Sequence, residues 1–140
     1  MAGDDIRRVD WRVYARTDKY FVKEFEADSN SNFTVLLDIS ASMAFGPKVS
    51  KLDYAKTLGA CLTYLVHKQR DRVGLVTFDT DVVDRVPPSA RHLDVVLHTL
   101  ERARATRPGQ LSAPLRKLAE HFGRRGVVVL ISDLFCPREE

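Results

Sequence analysis

Two cysteines are all that these 140 residues contain. Cys61 and Cys136 lie far apart and lack metal-ligand spacing, which argues against a disulfide framework and a cysteine zinc site and for free thiols in a reducing compartment. Cys61 falls within an apolar helical pattern and is expected to act as a small core residue. No apolar run is long enough to span a bilayer, and no signal-peptide pattern opens the chain. The expected location is therefore cytoplasmic, with membrane association arising through a longer parent chain or a partner. A dominant charge sign is also missing. Lys and Arg total 22 against 19 Asp and Glu, a net charge of +3, and the basic residues are scattered. Without a basic stripe interleaved with aromatics, no nucleic-acid partner is expected. A Gly-x-Ser-x-Gly elbow and a glycine-rich phosphate loop are both absent.

What is present is an ordinary globular composition, 44% hydrophobic and 29% charged, in a chain long enough for one domain with a core. Phe33-Thr34-Val35-Leu36-Leu37 reads as a buried parallel strand, being short, apolar and rich in β-branched and aromatic residues. Asp38, Ser40 and Ser42 follow at alternate positions where that strand ends. In α/β sheets, ligands bind outside the carboxyl ends of the strands. Val127-Val128-Val129-Leu130-Ile131 is a second such strand, and it runs into Ser132-Asp133. Two buried parallel strands ending in aspartate can bring both carboxylates to one rim of the sheet. Asp38, Ser40, Ser42 and Asp133 then form a cup of hard oxygen donors suited to Mg²⁺, or to Mn²⁺ or Ca²⁺. The plainer alternative is that these residues only close turns and cap helices.

The rest of the pattern supplies the scaffold. Met1 to Asp18 is a polar, basic arm with Trp11 as its anchor, and residues 19–140 form the domain. Tyr20 to Glu26 reads as an edge strand, joined through an Asp28–Asn32 turn to the central strand. Ser50 and Asp53 predict a helix start, and Leu52, Ala55, Leu58, Leu62, Leu65 and Val66 give that helix an apolar face to about Gln69. Lys51, Lys56, Thr63 and Lys68 point elsewhere. Val73 to Phe78 is a buried strand, and Asp79-Thr80-Asp81 turns it into a return strand, Val82 to Val86, ended by Pro87-Pro88. Helices are expected over about Ala90 to Arg104 and from a Ser112 cap through Leu115, Leu118, Ala119 and Phe122, stopped by Gly123 and Gly126. His67, His92 and His98 lack ligand spacing. The element order predicts an α/β layer fold with right-handed crossovers and a mixed, mostly parallel sheet.

Asp38-x-Ser40-x-Ser42 after one strand and Ser132-Asp133 after another resemble the von Willebrand factor type A domain and its metal-ion-dependent adhesion site. Asp4 to Arg12, Val22 to Glu26, Asp71 to Phe78 and Leu130 to Phe135 resemble, more specifically, the bacterial family called domain of unknown function fifty-eight. The resemblance covers nearly the whole chain. It implies a Rossmann-like three-layer sandwich, shortened at its C-terminal side, whose sheet can expose an apolar edge and pair with a second copy. It also implies partnership with a MoxR-type AAA+ ATPase rather than catalysis. Residue by residue, Asp38, Ser40 and Ser42 would be metal-loop positions, with Asp133 acting directly or through water. One position departs: Gly109 stands where the family pattern has a threonine, and only Thr106 or Ser112 is near enough in sequence to replace it.

These readings converge on a metal-dependent protein-binding module. A cation held by neutral hydroxyls and few carboxylates would stay electrophilic toward a partner's Asp or Glu. Two alternatives stand beside it. One is a scaffold with a defective metal site. The other is a magnesium-dependent phosphohydrolase with Asp38 as nucleophile, which Ser40 in place of a second loop carboxylate disfavours.

Overall fold

The computed structural model describes residues 31–122 and 125–136. The arm over 1–18, the strand expected over 20–26, most of the turn that follows it and Gly123 lie outside the described residues.

Strand β1 (Asn32–Asp38) pairs in parallel with β2 (Arg72–Phe78) on one side and with β4 (Gly126–Ile131) on the other. Strand β3 (Val82–Ser89) runs antiparallel to β2, so the described sheet has the order β3-β2-β1-β4 and is mixed but mostly parallel. Helix α1 (Lys51–Lys68) follows β1, α2 (Leu93–Arg102) follows β3, and α3 (Ser112–Ala119) precedes β4.

Strand alternation sends neighbouring side chains to opposite faces. Val35, Leu37, Val73 and Leu75 join Leu52 and Ala55 of α1 and Val96 and Leu100 of α2 in the larger cluster. Leu36, Val76 and Phe78 point the other way and meet Leu118, with Leu111, Leu115 and Phe122 around it. Helices therefore cover both faces of β1 and β2, which explains why these two strands read as continuous apolar runs. Gly74 permits the close β2–β3 crossing, because a Cβ there would stand 2.7 Å from the Val86 carbonyl oxygen.

Several expectations are corrected. Helix α1 buries Leu52, Ala55, Gly59 and Thr63, while Leu58 and Leu65 are exposed and Cys61 is a surface thiol. A Cβ on Gly59 would lie only 3.6–3.8 Å from Val35, Ile131 and Leu100, so the helix packs on its small-residue stripe and turns two leucines outward. Pro87-Pro88 does not end β3, which continues to Ser89. A register shift between Val73 and Leu75 accommodates the two prolines on an edge strand of the described sheet, where a missing N–H costs little. Helix α2 starts three residues later than expected, at Leu93. Ser112 is the first residue of α3 and not its cap, Ala119 is exposed, and Gly126 opens β4. Strand β4 is also less buried than its composition suggests. Like β3 it is an outer strand of the described sheet, and Val127, Val128 and Leu130 are exposed.

Candidate functional site

The carboxyl ends of β1 and β4 lie side by side because the strands are parallel and in register, with Leu37 opposite Ile131. The next residues, Asp38 and Ser132, therefore face one another. Asp38 is buried, 4% exposed. Its Oδ1 accepts from the Ser40 N–H at 2.8 Å, and its Oδ2 accepts from the Ser132 hydroxyl at 2.6 Å. Such charge-assisted bonds are short and strong, and two of them fix the buried carboxylate, one on each oxygen.

After Asp38 the chain leaves the sheet through Ile39, whose N–H bonds the Phe78 carbonyl oxygen at 2.8 Å, and enters a 3₁₀ turn over Ala41–Ala44. This turn rests on Met43, which is buried. It also brings the Ser42 hydroxyl within 3.1 Å of the Ser40 hydroxyl. Among the described residues, neither hydroxyl is locked onto a backbone group. Two oxygens bound side by side on an octahedral ion with bonds of 2.0–2.1 Å lie about 3 Å apart. The serine pair thus has the spacing of adjacent ligands.

Asp133 stands beside Ser132. Burial pushes its carboxyl up. Hydrogen bonds from Lys51, the Phe135 N–H and Ser42, together with the Lys51 charge, outweigh that and hold it below its ordinary range. The Phe135 N–H reaches Oδ1 at 3.2 Å, and Lys51 Nζ reaches Oδ2 at 3.0 Å. All four residues expected at the cup are therefore joined at one rim. Asp38, Ser40 and Ser42 are linked along one loop, and Asp133 is linked to them through Ser42 and the adjacent Ser132.

The third side of the cup is a closed loop. The Arg107 carbonyl oxygen accepts from the Ala41 N–H at 2.7 Å, and the Gln110 N–H donates to the Asp79 carbonyl oxygen at 3.0 Å. The Arg107 guanidinium holds the buried Asp79 carboxylate at 3.0 Å. Gly109 is pressed against Ser40, so that a Cβ there would come within 2.3 Å of the Ser40 Cβ. The missing threonine therefore leaves no gap, because the Ser40 side chain fills its place. Thr106 and Ser112 are both solvent-exposed. The Asp79-Thr80-Asp81 segment is a turn, as expected, with Asp79 Oδ1 accepting from the Thr80 N–H at 2.6 Å.

Two residues of the site escaped the sequence reading. Ser132 was visible beside Asp133, but only strand register shows that it is the one to touch Asp38. Lys51 looked like a solvated helix residue. A signal was available, since it is the first residue of α1, where the positive end of the helix disfavours a cation. Beside it runs a groove of about 1040 Å³ lined by Met43, Phe45, Val49, Tyr54, Leu58 and Asp133 among others.

Among the described residues no three His, Cys, Asp or Glu side chains gather as a metal-binding group. The donor set is instead two carboxylates and two hydroxyls. The 3.1 Å between the Ser40 and Ser42 oxygens matches adjacent ligands of a small divalent cation, and Asp38, Ser40, Ser42 and Asp133 are the residues that would hold it.

Fold and site together define an α/β protein with helices on both sides of a mostly parallel sheet and a buried aspartate–serine constellation at the strands' carboxyl ends. The chain belongs to the family described as protein of unknown function DUF58, whose model matches residues 1–140. Uncharacterized proteins of Mycobacterium bovis and Mycobacterium tuberculosis are each 35% identical to it over 143 residues, covering 96% of this chain. The chain spans 44% of the length of those curated relatives. Among solved structures, an aerotolerance-related membrane protein of Bacteroides fragilis has a TM-score of 0.59 at 24% identity, covering 71% of this chain and 52% of that one. The conserved hypothetical protein BatB of Bacteroides thetaiotaomicron has a TM-score of 0.58 at 21% identity with the same coverage. These likenesses concern the fold.

Proposed function

We propose that this chain is a von Willebrand factor type A-like, Rossmann-like module that binds a divalent cation and, through it, a carboxylate of a partner protein. The reading is carried by one observation: Asp38, Ser40 and Ser42 meet Ser132 and Asp133 at a single rim, with the two serine hydroxyls 3.1 Å apart. Mg²⁺ is the expected ion, with Mn²⁺ or Ca²⁺ as substitutes. A bound cation would supply an electrophilic coordination place for a partner's Asp or Glu. The chain's own residues account for the need. Asp38, Asp133 and Lys51 together carry one net negative charge, which repels a carboxylate until two positive charges are added. The same reading assigns no catalysis to the chain. The family resemblance points to a MoxR-type AAA+ ATPase as the partner. No helix among the described residues is long and apolar enough to cross a membrane. The fold is shared with proteins described as membrane proteins, which supports a place at the membrane through the parent chain or a partner.

The test is calorimetric titration with Mg²⁺ and Mn²⁺, followed by capture of a purified MoxR-type ATPase with and without EDTA. The module reading requires saturable binding that Asp38→Ala abolishes, and capture that EDTA releases. A scaffold with a defective site is the second reading, favoured by Gly109 in the threonine's position, where the Ser40 side chain leaves no room for one. Absence of Mg²⁺ and Mn²⁺ binding at millimolar concentration would select it.

A further inference from the structure

We propose that Lys51 is a tethered counter-cation of the cup, resting on Asp133 until a divalent cation displaces it, and so sets how tightly and how selectively the site loads. The inference rests on the metal-binding reading and deepens it.

Lys51 is in a place that helix energetics alone would not choose. It is the first residue of an 18-residue helix, where backbone N–H groups already concentrate positive charge. A lysine there costs the helix stability unless an anion answers it. Asp133 is that anion, 82 residues away in sequence, with Nζ 3.0 Å from Oδ2. A local choice that conflicts with its element and is repaired by a site residue is a mark of function.

The ammonium is not needed to hold Asp133 in position. The Phe135 N–H binds the other carboxylate oxygen at 3.2 Å. The Leu134 N–H bonds the Ser132 hydroxyl at 2.9 Å, and that hydroxyl in turn bonds Asp38. The loop after β4 therefore holds its own turn through backbone donors and is tied to β1 through Asp38, independently of Lys51. Removing the lysine leaves the acceptors in place and takes away one positive charge.

Lys51 also has somewhere to go. Its side chain is 50% exposed, while that of Asp133 is 11% exposed. It stands between the large groove and a smaller hollow lined by Ala41, Ser42, Phe45 and Phe135. Four methylenes let the ammonium swing into either while the helix stays fixed.

The selectivity follows from charge. A tethered ammonium competes at an effective concentration in the millimolar range or above. A monovalent ion has no electrostatic advantage over it. A divalent cation interacts twice as strongly with both carboxylates at equal distance. It also gains the Ser40 and Ser42 oxygens.

The experiment is titration with Mn²⁺ alone, with free Mn²⁺ read by electron paramagnetic resonance, on the wild type and on Lys51→Met, Lys51→Gln, Lys51→Arg and Asp38→Ala. Lys51→Met and Lys51→Gln should bind about tenfold or more tightly than the wild type. Lys51→Arg, which keeps the charge, should bind no more tightly. The Nζ nitrogen resonance of Lys51 should shift on addition of Mg²⁺ to the wild type and stay in place in Asp38→Ala. Equal or weaker binding by the folded neutral variants, with the wild type still binding through Asp38, would overturn the counter-cation and leave the metal site standing. No binding by any variant would bring down both. Having two neutral variants guards against one failing to fold, and circular dichroism identifies such a failure.

Discussion

Ser132 donates its hydroxyl proton to Asp38 across 2.6 Å, although 94 residues separate them along the chain. This bond clamps the end of β4 to the end of β1 and makes one site from two distant segments. It also leaves the buried Asp38 carboxylate with one donor on each oxygen.

Asp38→Ala should therefore have two separable effects. It leaves the Ser40 N–H and the Ser132 hydroxyl without their acceptor, at a cost of about 1–3 kcal/mol. Urea unfolding in EDTA would measure that loss. Any Mg²⁺-dependent rise in melting temperature shown by the wild type should vanish in the variant. A variant that retains the Mg²⁺ response would show that Asp38 is not a ligand.

Gly109→Thr should not restore the hydroxyl of the family pattern. The added Cβ meets the Ser40 Cβ at 2.3 Å and the Ser40 Oγ at 2.9 Å, so the loop must move. Overpacking of this kind costs about 1–3 kcal/mol. Gly109→Ala should share most of the destabilisation, and neither variant should bind Mn²⁺ more tightly. A gain in affinity by Gly109→Thr would mean that the loop docks differently in solution.

The Asp133 carboxyl is held below its ordinary range in the folded chain. A depressed folded pKa means that the ionised form is favoured by folding. The resulting stability is complete above the unfolded value of about 3.9 and is lost as pH falls through the folded value. Asp133→Asn should thus be less stable than the wild type at pH 6, and the gap should narrow below about pH 4. Urea midpoints from pH 2 to pH 6 in EDTA would show it, and a gap constant with pH would contradict the assignment.

Thr63 is fully buried in α1, and its hydroxyl has no hydrogen-bond partner among the described residues. Thr63→Val keeps the shape and removes the unsatisfied oxygen. It should be neutral or stabilising by up to about 1–2 kcal/mol. A loss of more than that in thermal unfolding would reveal a partner for the hydroxyl.

Much of this was legible in the sequence because it depends on near neighbours. The β1 and β2 runs are apolar because helices cover both faces. The Ser50 cap follows from a hydroxyl three residues before an N–H, and the Asp53 N–H donates to it at 3.0 Å. The turn at Asp79 follows from short polar side chains that bond their own backbone. Other features depend on what lies across the fold. A helical wheel drawn on α1 puts the leucines on one broad face, and only the packing against the sheet centres the buried stripe on Gly59 and Thr63 and leaves Leu58 and Leu65 outside it. Pro87 and Pro88 lose their meaning as terminators once β3 lies at an edge of the described sheet with a register shift. The apolar β4 reads as a buried strand, yet it lies at the outer edge of the described sheet.

By itself, the sequence determined the kinds of element, their order and the two places where a strand gives way to carboxylate and hydroxyl groups, because those are properties of a few consecutive residues. Only the tertiary structure decided that Ser132 faces Asp38, that Lys51 settles on Asp133 and that Gly109 lies against Ser40. Each of these depends on strand register or on loop docking, and such long-range pairings are set by the packing of the whole sheet and leave no mark in the spacing of adjacent residues.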